Sequence, residues 1–120
     1  MIERIHPQGA PPPRGPYSPA VRAGDFVFVS GQVPPEPGDV AHETRQVLTN
    51  LRGILEGCGA TLADVVKCTV FLADAKDFAA MNAVYAEFFG EAKPARSTVV
   101  TGFAIPNIKV EIDAIAYKPR

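Results

Sequence analysis

The side chains in this sequence with chemistry to offer stand far apart along it. Arg96 lies in PARSTVV (residues 94–100), just ahead of Thr98, Val99 and Val100, β-branched residues that favour a strand. Glu111 lies inside IKVEIDAIAY (108–117), Tyr17 follows a Gly-Pro pair, and Ser30 precedes Gly31 at the end of GDFVFVSG (24–31). A guanidinium is a permanent cation with five donors, a carboxylate can accept and return a proton, and hydroxyls can donate or accept hydrogen bonds. By pattern alone each also has an ordinary place. Arg96 reads as a solvated or ion-paired strand-edge residue and Glu111 as solvent-facing. Tyr17 reads as packing in a turn, Ser30 as the end of a strand, and Asn82 as an exposed helix residue. No G-x-S-x-G elbow, H-E-x-x-H pair, Walker loop or dinucleotide fingerprint is present. Ser30 has no histidine set beside it by any local motif, which argues against a serine-hydrolase triad.

His6 and His42 have no partner at ligand spacing. Cys58 and Cys68 are too few and too far apart for a zinc motif and read as small buried hydrophobes. No metal site is expected.

The elements that must position these residues are legible. Residues 7–16 hold five prolines and form a stiff, non-helical lead-in. In the strand that follows, Phe26, Phe28 and Ser30 share one face and Val27 and Val29 the other. Both faces are mostly apolar, so cover on both is expected. VPPEPGD (33–39) is a turn-rich connector. From Asp39 to about Gly57 the period becomes helical, with Val47, Leu48, Leu51, Ile54, Leu55 and Cys58 on one stripe, Asp39 as N-cap and Gly57 and Gly59 as stops. VVKCTVFLAD (65–74) is a strand. A second helix is expected from about Asp77 to Phe89, its inner stripe being Phe78, Met81, Tyr85, Phe88 and Phe89. The strand of Arg96 follows, then a turn around TGFAIPN, then the last strand. There Ile108, Val110, Ile112 and Ala114 share a face, which suits the helices. Glu111 points to the other side. With no further helix to cover an apolar half-face, burial against another subunit is expected.

The whole chain, 120 residues, reads as a single domain with residues 1–16 as a proline-rich lead-in. An apolar share of 47% with 21% charged residues is ordinary for a folded domain. A net charge of −1 and a pI near 6.1 give no electrostatic footprint for nucleic acid or for an anionic membrane. No apolar run approaches the roughly 20 residues that span a bilayer, and the N-terminus has no apolar signal core. A soluble, cytoplasmic protein is the expectation.

GPYSPAV, VFVSGQVP, the long run from TRQVLTNL to AEFFG, PARSTV and VEIDAIA together resemble the reactive intermediate deaminase (Rid) family, also called the YjgF or liver perchloric acid-soluble protein family. The resemblance spans roughly residues 14–117, and PARSTV with VEIDAIA is its most specific part. It implies an α+β, chorismate-mutase-like β-β-α-β-α-β-β chain with two helices on one face of a mixed sheet. It also implies a homotrimer with sites in the clefts between subunits. The implied reaction is cofactor-free hydrolysis of 2-imino acids or their enamine tautomers, such as 2-iminobutanoate and 2-iminopropanoate, to 2-keto acids and ammonia.

Carried over by position, Arg96 is the carboxylate-binding arginine and Glu111 the acidic site residue that orients or deprotonates water. Tyr17 and Ser30 donate hydrogen bonds or position the imine nitrogen. Gly31 and Asn82 line the cleft, and Thr98 contributes its backbone where the family often has cysteine. Two departures fall near the expected cleft mouth. The connector from Gly31 to the first helix is shorter than usual, and Pro106 sits one residue nearer Glu111, although the Arg96–Glu111 separation matches. The same arginine would also serve a non-catalytic trimer that binds a keto or amino acid for regulation.

Overall fold

Hydrophobic periodicity decides the two helices of the computed structural model, which describes residues 1–120. Helix α1 (Val40–Gly57) starts where the Asp39 carboxylate accepts a hydrogen bond from the His42 amide at 2.8 Å. It buries Val47, Leu48, Leu51, Ile54 and Leu55, and the chain turns away at Gly59, whose φ of +82° suits glycine. Helix α2 (Phe78–Phe89) buries Met81, Val84, Tyr85 and Phe89. Phe78, expected on that stripe, is exposed instead, and Val84 takes the inner position. Phe78 occupies the first turn, where its ring faces the Arg96 guanidinium rather than the core.

The strands are β1 (Ile2–Ile5), β2 (Ala20–Ala23), β3 (Phe26–Gln32), β4 (Val65–Leu72), β5 (Ala95–Val100) and β6 (Val110–Tyr117). They form one sheet in the order β1-β2-β3-β6-β4-β5. Only β4 and β5 run parallel, because α2 makes the crossover between them. Two helices on one face of a mixed sheet is the expected α+β architecture. One strand is added to it. β1 lies within the lead-in and pairs with β2 from Ile2↔Ala23 to Ile5↔Ala20. Its four residues, cut off by Pro7, are too few for a periodic signal. The last strand begins at Val110 rather than Ile108, since the Lys109 amide is drawn to the Glu43 carboxylate on α1.

Strand alternation sets the two faces. Val27 and Val29, Cys68, Val70 and Leu72, and Val110, Ile112, Ala114 and Ala116 are buried beneath the helices. Phe26 and Phe28 lie on the opposite face, 41% and 42% exposed, beside Tyr117, which meets Phe26 edge-on at 5.3 Å between ring centres. The strand with apolar side chains on both faces is therefore covered on one face only within a single chain. No helix is long and apolar enough to cross a membrane.

One buried cation holds the end of the sheet to the helix layer. Arg22 on β2 donates to the carbonyls of Lys118 at 2.7 Å, Cys58 at 3.3 Å and Gly24 at 3.4 Å, with only 4% of its surface exposed. It thereby joins the C-terminus, the end of α1 and the β2–β3 turn. A hydrogen bond to a charged group is worth about 1.5–3 kcal/mol. Arg22→Ala should lower the urea midpoint by at least one such contact, and Arg22→Lys should recover part of it. An unchanged midpoint for Arg22→Ala would show that water replaces all three contacts.

Candidate functional site

Glu111 is placed by β6, halfway along a strand whose even-numbered residues are buried, so its own side chain must emerge on the far side of the sheet from the helices. There it meets β3 where the pairing register slips between Val29 and Gln32. Such an irregularity re-aims the backbone. Gly31 lies in this slip, and its lack of a side chain is required. A β-carbon at Gly31 would overlap the Glu111 carboxylate, with Cδ only 3.0 Å away. Ser30 ties the segment just after the lead-in to the same strand. Its amide donates to the Pro19 carbonyl at 2.9 Å and its hydroxyl to the Ser18 carbonyl at 2.6 Å. The hydroxyl proton is thus used within the chain, and lone pairs remain for a ligand. Tyr17, half exposed, accepts from the Arg14 amide at 3.1 Å through its hydroxyl, whose own proton stays free to donate. Tyr17, Ser30, Gly31, Val33, Ile105 and Glu111 line a cavity of about 300 Å³.

Burial in this cavity pushes the Glu111 carboxyl above its ordinary range, and the neighbouring Asp113 carboxylate adds to the shift. Asp113, two residues on along the same face, accepts from the Thr69 amide at 3.0 Å. A carboxyl so placed can hold a proton at higher pH than an ordinary glutamate, as an acid–base group must.

Arg96 is placed otherwise. On the edge strand β5 it pairs with Cys68, a residue buried under the helices, so it faces the helix side. Its guanidinium carbon lies 4.7 Å from the Tyr85 ring centre and 5.7 Å from that of Phe78. These aromatic faces attract the cation and hold it without hydrogen-bonding to it. It has no carboxylate partner within the chain. Thr98 follows two residues later on the same face, and Asn82 stands one helical turn from both Phe78 and Tyr85. Burial also pushes the Tyr85 hydroxyl and the Cys68 thiol upward, so both stay protonated and neutral.

The expected site residues therefore form two groups. Tyr17, Ser30, Gly31 and Glu111 converge on one cavity. Arg96, Thr98 and Asn82 gather on the opposite side of the sheet. A single chain does not bring Arg96 and Glu111 together. Sequence reasoning did not pick out Glu43 or Asp113 near the first group. Glu43 reads as an ordinary acid in a first helical turn, and only the tertiary structure reveals it as fully buried. No cluster of three or more His, Cys, Asp or Glu is placed to hold a metal ion.

The architecture defines a small α+β domain with an arginine held over two aromatic rings on one side of its sheet and a half-buried glutamate on the other. Residues 7–118 match the family model described as Endoribonuclease L-PSP. A RutC family protein of Pyrococcus horikoshii is 50% identical, covering 98% of this chain and 99% of its own. The 3-aminoacrylate deaminase RutC of Acinetobacter baylyi is 42% identical over 96% of this chain and 97% of its own. The crystal structure of E. coli TdcF with bound serine superposes with a TM-score of 0.89 at 38% identity, covering 97% and 98% of the two chains. The chain belongs to the Endoribonuclease L-PSP family, the YjgF/Rid family.

The raised pKa of Glu111 has a signed consequence. The folded state binds this proton more tightly than the unfolded chain, so ionisation subtracts stability as pH rises from about 4.3 through the folded value. Glu111→Gln cannot ionise. Its melting temperature should exceed the wild type's at neutral pH, and the gain should vanish below about pH 4, where the unfolded-state carboxyl is protonated as well. Equal melting temperatures at neutral pH would show that Glu111 is hydrated like a surface carboxylate.

Proposed function

We propose that this protein is a hydrolytic deaminase of 2-imino acids and their enamine tautomers, with 2-iminobutanoate and 2-iminopropanoate as substrates. It acts as a homotrimer in which Arg96 of one copy faces Glu111 of the next. The observation that carries the reading is the guanidinium of Arg96, held over Tyr85 and Phe78 with no acid of its own chain to neutralise it. A planar fork of donors matches a carboxylate in bidentate fashion, and every imino acid carries one. A sheet face with exposed Phe26, Phe28 and Tyr117 supports burial against further copies. The relative named 3-aminoacrylate deaminase is named for a substrate that also joins a carboxylate to an enamine nitrogen.

In this reading the substrate carboxylate rests on Arg96, with Asn82 and the Thr98 backbone beside it. The C=N carbon faces a water at Glu111. Glu111 takes a proton from the water as its oxygen adds to carbon, giving a carbinolamine. It passes that proton to nitrogen and then carries the carbinolamine hydroxyl proton to nitrogen as well, so that the C–N bond breaks and ammonia leaves as the keto group forms. Tyr17 donates to the reacting end. An imine hydrolyses readily, so positioning with modest acid–base help is enough. RNA cleavage, which the family model's description suggests, finds no support in a net charge of −1. A non-catalytic module is the second reading. The bound serine in the TdcF crystal structure favours it, because it shows an amino acid held by a relative.

A coupled assay separates the two readings. A threonine dehydratase supplies 2-iminobutanoate, and the appearance of 2-ketobutanoate is followed. Acceleration over the buffer rate is expected, and its absence would leave the binding module. Arg96→Ala should assemble normally and lose about one to two orders of magnitude in turnover, since a charged hydrogen bond is worth about 1.5–3 kcal/mol. Arg96→Lys should rescue poorly, lacking the planar fork. A stable Arg96→Ala variant with wild-type turnover would overturn the assignment. Sedimentation at micromolar concentration should give a particle about three times the 12.8 kDa chain mass, and an active monomer would rule out the shared cleft.

A further inference from the structure

The walls of the Glu111 cavity come from two segments with little backbone hydrogen bonding of their own. The first is the connector after β3, which contributes Val33. The second is the loop at residues 101–109, which contributes Ile105. This loop has backbone hydrogen bonds at its ends, from the Thr101 amide to the Leu72 carbonyl at 2.9 Å and from the Ala73 amide to the Lys109 carbonyl at 3.0 Å. Between those ends it makes none.

Both segments are tied to one carboxylate. Glu43 on α1 is fully buried. Its Oε1 accepts from the Lys109 amide at 2.7 Å, and its Oε2 accepts from the Gly38 amide at 3.1 Å. The Lys109 ammonium closes the knot, donating to the Gly38 carbonyl at 2.7 Å and lying 3.5 Å from Oε2. Gly38 is the penultimate residue of the connector, and Lys109 stands two residues before Glu111. Burying a carboxylate is costly unless it is paired and hydrogen-bonded, and here each oxygen has a backbone donor. Glu36 makes a second, exposed tie to α1 through Gln46 that does not reach the loop, and the Lys109 ammonium reaches α1 only through Glu43.

We infer that Glu43 is a positioning residue for the Glu111 site, holding the connector and the 101–109 loop in register so that Glu111 stays in its half-buried cavity. It touches no substrate and acts through the two walls. As a role in catalysis, this inference rests on the deaminase reading. As a statement about the cavity, it does not.

The titratable groups facing Glu111 within its own chain are Asp113 on its strand and Tyr17 just after the lead-in, and in the proposed trimer the Arg96 guanidinium of the next copy faces it as well. The strand beside it offers Phe71 and the one across the slip offers Gly31, neither charged. If the walls loosen, water enters, and the burial that raises the Glu111 pKa is reduced.

The test is Glu43→Gln in the assembled protein. It keeps the volume and the Oε1 acceptor but turns a donor toward the Gly38 amide and the Lys109 ammonium. Two readouts are taken: the carboxyl titration of Glu111 by NMR of 13C-labelled glutamate, and amide exchange over residues 102–109. The expected result is a folded protein in which Glu111 titrates at lower pH and the loop amides exchange about tenfold faster or more. The acid limb of the imine-hydrolysis profile should move down by the same amount as the titration. A merely structural role would lower the melting temperature and leave the Glu111 titration where it was, and that result overturns the inference. Should Glu43→Gln fail to fold, Lys109→Gln decides. It keeps the backbone donor to Oε1 and removes the ammonium bridge to Gly38, so a shift in the same direction supports the inference and an unmoved titration overturns it. A wild type without imine hydrolysis would sink the deaminase reading alone, since the Glu111 titration does not depend on turnover.

Discussion

A sheet covered by helices on one face only, combined with the two-residue period of its strands, constrains everything else in this molecule. Alternation sends Glu111 away from the helices and the buried Val110 and Ile112 toward them. The same alternation, carried across the β4–β5 pairing by Cys68↔Arg96, turns Arg96 toward the helices at the sheet edge. Two residues of complementary chemistry are thereby separated by the thickness of their own sheet. In the proposed trimer, the apolar face beside Glu111, with Phe26, Phe28 and Tyr117, is the surface on which another copy buries area and brings the missing half.

The two halves are built from different interactions, and each suits the role proposed for it. Around Arg96 the protein supplies aromatic faces and no counter-ion, so the cation is held while its donors remain free for a bidentate partner. Around Glu111 it supplies partial burial, a second carboxylate and a glycine that lets the backbone approach, so the acid is kept ready to hold a proton. Tyr85 and Cys68, neutral and buried beneath Arg96, add no opposing charge to that side.

Irregular segments surround the second half, and side chains order them where backbone pairing does not. The Ser30 hydroxyl and amide tie Ser18 and Pro19, just after the lead-in, to β3, Arg22 ties the C-terminal end of the sheet to the end of α1, and Glu43 ties the connector and the 101–109 loop to α1. Both oxygens of the buried Glu43 are paired, and such a group fixes one arrangement, because an alternative leaves a desolvated acceptor unpaired. The connector and the turn at Pro106 belong to these segments.

The sequence by itself determined the elements whose signal is periodic. Asp39 and the stripe from Val47 to Leu55 specify α1, the alternation of IKVEIDAIAY specifies β6 and the side on which Glu111 emerges, and PARSTV with VEIDAIA specifies the family. Local pattern suffices there because each residue's face is set by its neighbours a few positions away. The tertiary structure decided what depends on distant partners. The four residues of β1 become a strand only by pairing with β2, and Phe78 leaves the core stripe for Arg96. Likewise Glu43, an unremarkable acid in a first helical turn, becomes buried because Gly38 and Lys109 converge on it. The placement of Arg96 and Glu111 on opposite faces was equally invisible in sequence, since it follows from the register between strands that are far apart in the chain, and no local period encodes which strand lies beside which.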